Sequence, residues 1–206
     1  MKKIFLISFF TCIIQISNAQ HDNLEPVSGY FSSTKSDEFY YPLVKKALID
    51  SLGSNPEARI LVLPSFTNEY LVSIDTENGI PYLTYRIVKQ QIWYNRKSKE
   101  LLFEQFKIPF DAQMTSQINA LFFLATSKVQ YSTNSLMEDG TTYNFICFKV
   151  GIGIRSGKTK SPESSKMVGL VKITDWLANC AKKGEIIDRD KMTIFINDLI
   201  DKFKRT

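Results

Sequence analysis

His21 is the only histidine in the chain, and it falls in a polar stretch near the N-terminus. A Ser-His-Asp or Cys-His site needs an imidazole held in place by the fold. His21 is not placed for that, and with Cys147 and Cys180 it makes too small a ligand set for an ordinary zinc site. The segment Gly151-Ile152-Gly153-Ile154-Arg155-Ser156-Gly157-Lys158-Thr159 has a phosphate-loop flavour. The phosphate loop needs a glycine five residues before the Gly-Lys pair, where Ile152 stands, and the dinucleotide fingerprint needs one where Ser156 stands. These glycines therefore read as a strand bulge and a turn, and no cofactor is expected.

Paired carboxylates suit acid/base hydrolysis of a glycoside when about 5 to 10 Å apart. The candidates are Glu69, Asp75, Glu104, Glu138, Asp139 and Glu163, all read first as surface groups. Glu69 differs in following Pro64-Ser65-Phe66 at a strand entry, where a carboxylate can satisfy loop amides. Aromatic residues make up 13% of the chain, enough to ask whether some are exposed for binding. Tyr82, Tyr85, Trp93 and Tyr94 are the candidate binding residues. Neighbouring aromatics on a strand point to opposite faces, and exposed ones favour a protein or carbohydrate partner. The alternative is a sheet covered on both sides.

The elements expected to position these residues form one α+β domain over residues 37–206. Residues 37–52 read as a helix through Leu43, Ala47, Leu48 and Leu52, with Gly53 as its stop. Strands are expected at Ile60–Leu63, Tyr70–Asp75, Pro81–Tyr94 and Leu101–Ile108, with Asn78-Gly79 as a hairpin turn. Asp111 is placed to cap a helix whose apolar face is Met114, Ile118, Leu121, Phe122 and Ala125. Thr141–Ile154 reads as a long strand, bulged near Gly151 and Gly153, and Ser156–Ser165 as a loop. Two helices close the chain, Lys166–Lys183 and Lys191–Lys204. The expected architecture is an antiparallel sheet of about five strands in a meander, with helices mainly on one face.

Residues 1–19 have the pattern of a cleavable signal peptide. Lys2 and Lys3 precede an apolar run, Ile4 to Ile16, and Ser17-Asn18-Ala19 supplies the small residues before the cut. The run is too short for a spanning helix. Periplasmic or secreted localisation is expected, in the manner of Gram-negative envelope proteins, with residues 20–36 as a flexible polar leader. The processed chain would carry 24 Lys+Arg (26 less Lys2 and Lys3) against 21 Asp+Glu, a mild net +3. Interspersed charge of this size points away from nucleic acid. Outside the cytoplasm Cys147 and Cys180 have the option of a disulfide, the alternative being two buried thiols.

These features favour a non-catalytic binding or interaction module with an unknown protein or glycan partner. A carboxylate-dependent hydrolase of cell-wall or extracellular glycans is the first alternative. A periplasmic immunity protein that neutralises a toxin is the second.

Overall fold

A computed structural model describes residues 22–27, 39–95, 97, 101–131 and 139–205. The expected signal peptide, His21 and Glu138 lie outside these residues. Seven strands form a single antiparallel sheet in the order β1-β7-β6-β2-β3-β4-β5. They are β1 (Glu25–Pro26), β2 (Ala58–Pro64), β3 (Tyr70–Glu77), β4 (Ile80–Val88), β5 (Phe103–Pro109), β6 (Thr141–Lys149) and β7 (Gly153–Lys160). Among the described residues four helices accompany them: α1 (Tyr40–Val44, continued by a π-helical turn at Lys45–Ile49), α2 (Ala112–Ser127), α3 (Ser165–Lys183) and α4 (Arg189–Lys204).

The mixed α+β class stands, but the strand count is seven rather than about five. Both additional strands come from segments with little apolar character. The segment read as a loop after Ile154 is β7, fully paired with β6 from Lys149↔Gly153 to Thr142↔Lys160. The expected bulge near Gly151 and Gly153 is instead a tight hairpin turn over Val150–Ile152, with Gly151 in the turn and Gly153 at the start of β7 both at positive φ. β1 comes from the expected leader and pairs Glu25 with Lys158. The meander survives in β2 to β5, while β6 and β7 form a hairpin laid along the far side of β2.

Local chemistry explains the other boundaries. Asn78 and Gly79 both take positive φ in the β3–β4 turn, as the two central residues of a type I′ hairpin must. The Asp111 carboxylate accepts the Met114 N–H at 2.8 Å and caps α2. Gly184 ends α3 in the left-handed conformation.

The two sheet faces are buried unequally. On one face Ile60, Val72, Ile74, Leu83, Phe145 and their neighbours pack beneath α2, α3 and α4 and form the main core. The five residues of the predicted α2 stripe are all buried there. On the other face α1 and its π-turn cover Leu61, Leu71, Val88 and Ile92. Beside that smaller core lies a polar cluster. Arg59 is fully buried, and its guanidinium donates to Asp75 at 2.9 Å, to Ser73 at 2.9 Å and to the Gly53 carbonyl at 2.7 Å.

Candidate functional site

Register alone places three tyrosines on the helix-covered face. Val62 pairs with Tyr143 on one side and Tyr70 on the other, so both rings flank it in one cross-sheet row. Tyr85 lies in the next row, opposite Val72, and on the same face. Above this end of the sheet runs α3. Its residues Asp175, Ala178, Asn179 and Lys182 are spaced 3, 4 and 7 apart and share one stripe of the helix. Between them opens a groove of about 760 Å³, walled by Tyr70, Tyr85 and Ile87 below and by the α3 stripe above. Its rim is the β2–β3 loop, with Phe66, Thr67 and Asn68.

The rim loop is held at both ends. Ser65 Oγ donates to the Gly140 carbonyl at 2.8 Å and accepts the Gly140 N–H at 3.0 Å. Gln91 donates to the Ser65 carbonyl at 2.9 Å. At the far end Glu69 is fully buried. It accepts the Ile92 N–H at 3.0 Å and the Tyr40 hydroxyl at 2.8 Å. The carboxylate that stood out at a strand entry thus does satisfy a loop amide. It fixes the turn after β4 and, with it, the floor on which Phe66 to Asn68 stand.

Inside the groove the polar groups face solvent. The side chains of Tyr70, Tyr85, Asp175 and Asn179 form no hydrogen bond with one another or with other described residues. Lys182 places its ammonium 4.6 Å from the centre of the Tyr85 ring, a cation–π distance. Burial pushes the Tyr70 phenol well above the ordinary tyrosine range, and the Asp175 charge adds to the shift. Tyr85 and Tyr143 are raised too, again first by burial. All three therefore stay protonated and serve as neutral donors and acceptors. Burial also raises the Asp175 carboxyl, while Lys182 opposes the rise.

The structure does not gather the four aromatic candidates. Tyr85 belongs to the groove and is almost fully buried, with only its hydroxyl end of use to a ligand. Tyr82 lies on the opposite face, beneath the Lys107 ammonium at 4.6 Å. Trp93 and Tyr94 are not on a strand, because β4 stops at Val88 and the chain turns over residues 89–95. Alternation along a strand therefore does not govern them. Trp93 packs edge-on against Tyr40 at 5.7 Å, and Tyr94 is 73% exposed.

The carboxylate candidates are dispersed as well. Glu69 and Asp75 are tied into buried networks, and Glu104 faces Lys89 at 3.7 Å. Asp139 and Glu163 are exposed away from the groove. Among the described residues that line the groove, Asp175 is the one carboxylate and none is a cysteine or histidine. Sequence reasoning passed over Asp175, Asn179 and Lys182. The available signal was their shared stripe on α3, directly beside the apolar face.

Cys147 and Cys180 are both buried free thiols. Burial pushes each thiol up from its usual range, and Thr126 Oγ1 lies 3.7 Å from the Cys147 sulfur. A water-soluble thiol reagent should label neither in the native processed chain and both after unfolding without reductant. Failure to label the unfolded chain until a reductant is added would reveal a disulfide.

Comparison with known proteins returns no matching family model, no similar curated protein and no similar solved structure. The groove's own chemistry is therefore the ground for a functional reading.

Proposed function

We propose that this chain is an exported, non-catalytic binding protein whose groove takes a glycan segment. The observation that carries the reading is the convergence of unpaired polar groups on an aromatic floor. Tyr70 and Tyr85 hydroxyls, the Asp175 carboxylate and the Asn179 amide meet in one open groove with Phe66 at its rim.

A sugar presents hydroxyls at its edges and C–H groups on its faces. Carboxylate and amide side chains suit the hydroxyls, and exposed rings suit the C–H faces. The fixed rim loop means that little ordering entropy is lost when the ligand arrives. A hydrolytic reading would need a second acid facing Asp175 across the ligand, at about 5 to 10 Å. Among the described residues none of the paired-acid candidates lines the groove.

The test is calorimetric titration of the processed chain with soluble fragments of envelope and extracellular glycans. Asp175→Ala should weaken binding by roughly ten- to a hundredfold, the range for losing a hydrogen bond to a charged group. Tyr70→Phe should weaken it less, by up to about tenfold, since only a neutral hydroxyl is lost. Binding that is indifferent to both substitutions would remove the groove from consideration. Turnover of the glycan would overturn the non-catalytic reading, and capture of a single stoichiometric protein in place of glycan would favour the immunity role.

A further inference from the structure

We infer that the tip of the β6–β7 hairpin docks the protein onto an anionic lipid surface. This site lies at the opposite end of the sheet from the groove. β6 enters at Thr141 beside the rim loop and leaves at Lys149 for the turn. The tip carries three aliphatic side chains in the open: Val150 is 86% exposed, Ile152 50% and Ile154 45%. Single exposed aliphatics are ordinary on protein surfaces. Here Val150 and Ile152 occupy the turn at the projecting end of the hairpin, with Ile154 just behind it on β7.

The turn is well formed. Gly151 and Gly153 take positive φ, and the Ile152 N–H closes it on the Lys149 carbonyl at 3.0 Å. The aliphatic side chains are thus held outward by a paired hairpin rather than by a loose loop.

Two cations stand just behind the point. The Lys149 ammonium lies 4.4 Å from the centre of the Phe123 ring, and the Arg155 guanidinium lies 5.5 Å from the same centre. Both side chains are exposed, and neither forms an ion pair with a carboxylate among the described residues. Two like charges gathered on one ring favour an anion between or above them. Val150 and Ile152 lie in the turn itself, ahead of Lys149 and Arg155 on the strands, and this order matches a membrane surface. Hydrocarbon begins some 5–10 Å below the phosphates that such cations meet. A flat protein partner gives no reason for this layering. Among the described residues no helix is long and apolar enough to cross a membrane, so the contact is peripheral.

The test uses the processed chain, its N-terminus checked by mass spectrometry so that no apolar leader contributes. Co-sedimentation is measured with vesicles of phosphatidylcholine alone and of phosphatidylcholine with an equal share of phosphatidylglycerol. Binding is expected to the anionic vesicles and to fall steeply in high salt. Lys149→Glu with Arg155→Glu should reduce partitioning by at least tenfold. Val150→Ser with Ile152→Ser should do the same, and exposed positions leave the fold intact, which near-ultraviolet circular dichroism checks. Ile152→Trp should shift its emission to the blue on anionic vesicles only. No binding to either vesicle, equal binding to both, or binding insensitive to the tip substitutions would overturn the inference.

Discussion

Replacing Asp75 with alanine is expected to destabilise the fold by about 3–5 kcal/mol, the range for stripping one partner from a buried ion pair. Arg59 is fully buried, and Asp75 is the carboxylate that faces it. Ser73 joins the two, accepting from Arg59 and donating to Asp75 at 2.6 Å. A second buried cation makes the loss worse. Arg86 has its own partners in Gln105 at 2.6 Å and the Leu48 carbonyl at 3.2 Å. Its guanidinium is held below the ordinary arginine range, first by burial and then by repulsion from Arg59, while Asp75 counteracts both. One carboxylate therefore serves two buried cations. Without it Arg59 loses the carboxylate it donates to at 2.9 Å.

The effect is large beside a typical stability of about 5–15 kcal/mol. Urea unfolding at neutral pH measures it through the midpoint at constant slope. The companion experiment is the double substitution Arg59→Met with Asp75→Leu. Replacing both charges by apolar groups removes the buried cation together with its carboxylate, so it should cost far less than Asp75→Ala alone. If the single substitution loses less than about 1 kcal/mol, the cluster does not hold this face together in the way its geometry implies.

How far the sequence discloses this molecule depends on whether a feature is local. Helical stripes are local, and Met192, Ile196, Leu199 and Phe203 on α4 are buried as their spacing indicates. The turn at Asn78-Gly79 and the cap at Asp111 are likewise decided by residues within a few positions. Arg59 and Asp75 carry no such mark. Each sits in a strand beside apolar neighbours, and only the antiparallel register of β2 on β3 brings them together. The groove has the same character. Tyr70, Tyr85 and Asp175 come from two strands and a helix and meet through one strand pairing and one helix crossing. Aromatic content signalled a binding surface without saying which rings share it. Of the four candidates only Tyr85 arrives there, because the parity of β4 sends Tyr82 to the other face.

Residues 22–27 are placed differently from what a flexible polar leader implies, and Leu24→Ala tests how much they hold. Composition marks residues 20–36 as polar and turn-rich, yet Leu24 is fully buried in the main core. It lies over Gly157 of β7, where an added Cβ would come within 2.9 Å of the Leu24 Cβ and 3.0 Å of Val129. Gly157 is thus what allows the segment to approach, and a glycine that looked like part of a loop is a seat for a leucine.

Polar contacts surround the seat. The Gln130 N–H donates to the Leu24 carbonyl at 2.8 Å, and Ser156 Oγ to the Val27 carbonyl at 3.0 Å. Asp22 pairs with the nearly buried Lys166 at 3.0 Å. The fully buried Leu24 side chain supplies the apolar part of the hold. Truncating a fully buried leucine costs about 2–5 kcal/mol, according to how far the surroundings collapse. A backbone held by β1 pairing limits that collapse, so about 3 kcal/mol is expected here. Hydrogen exchange should also show the outer edge of β7 losing protection with the segment, since β1 pairs there at Lys158 and Gly157. A loss under 1 kcal/mol with β7 protection unchanged would mean that the segment rests on the domain without closing it.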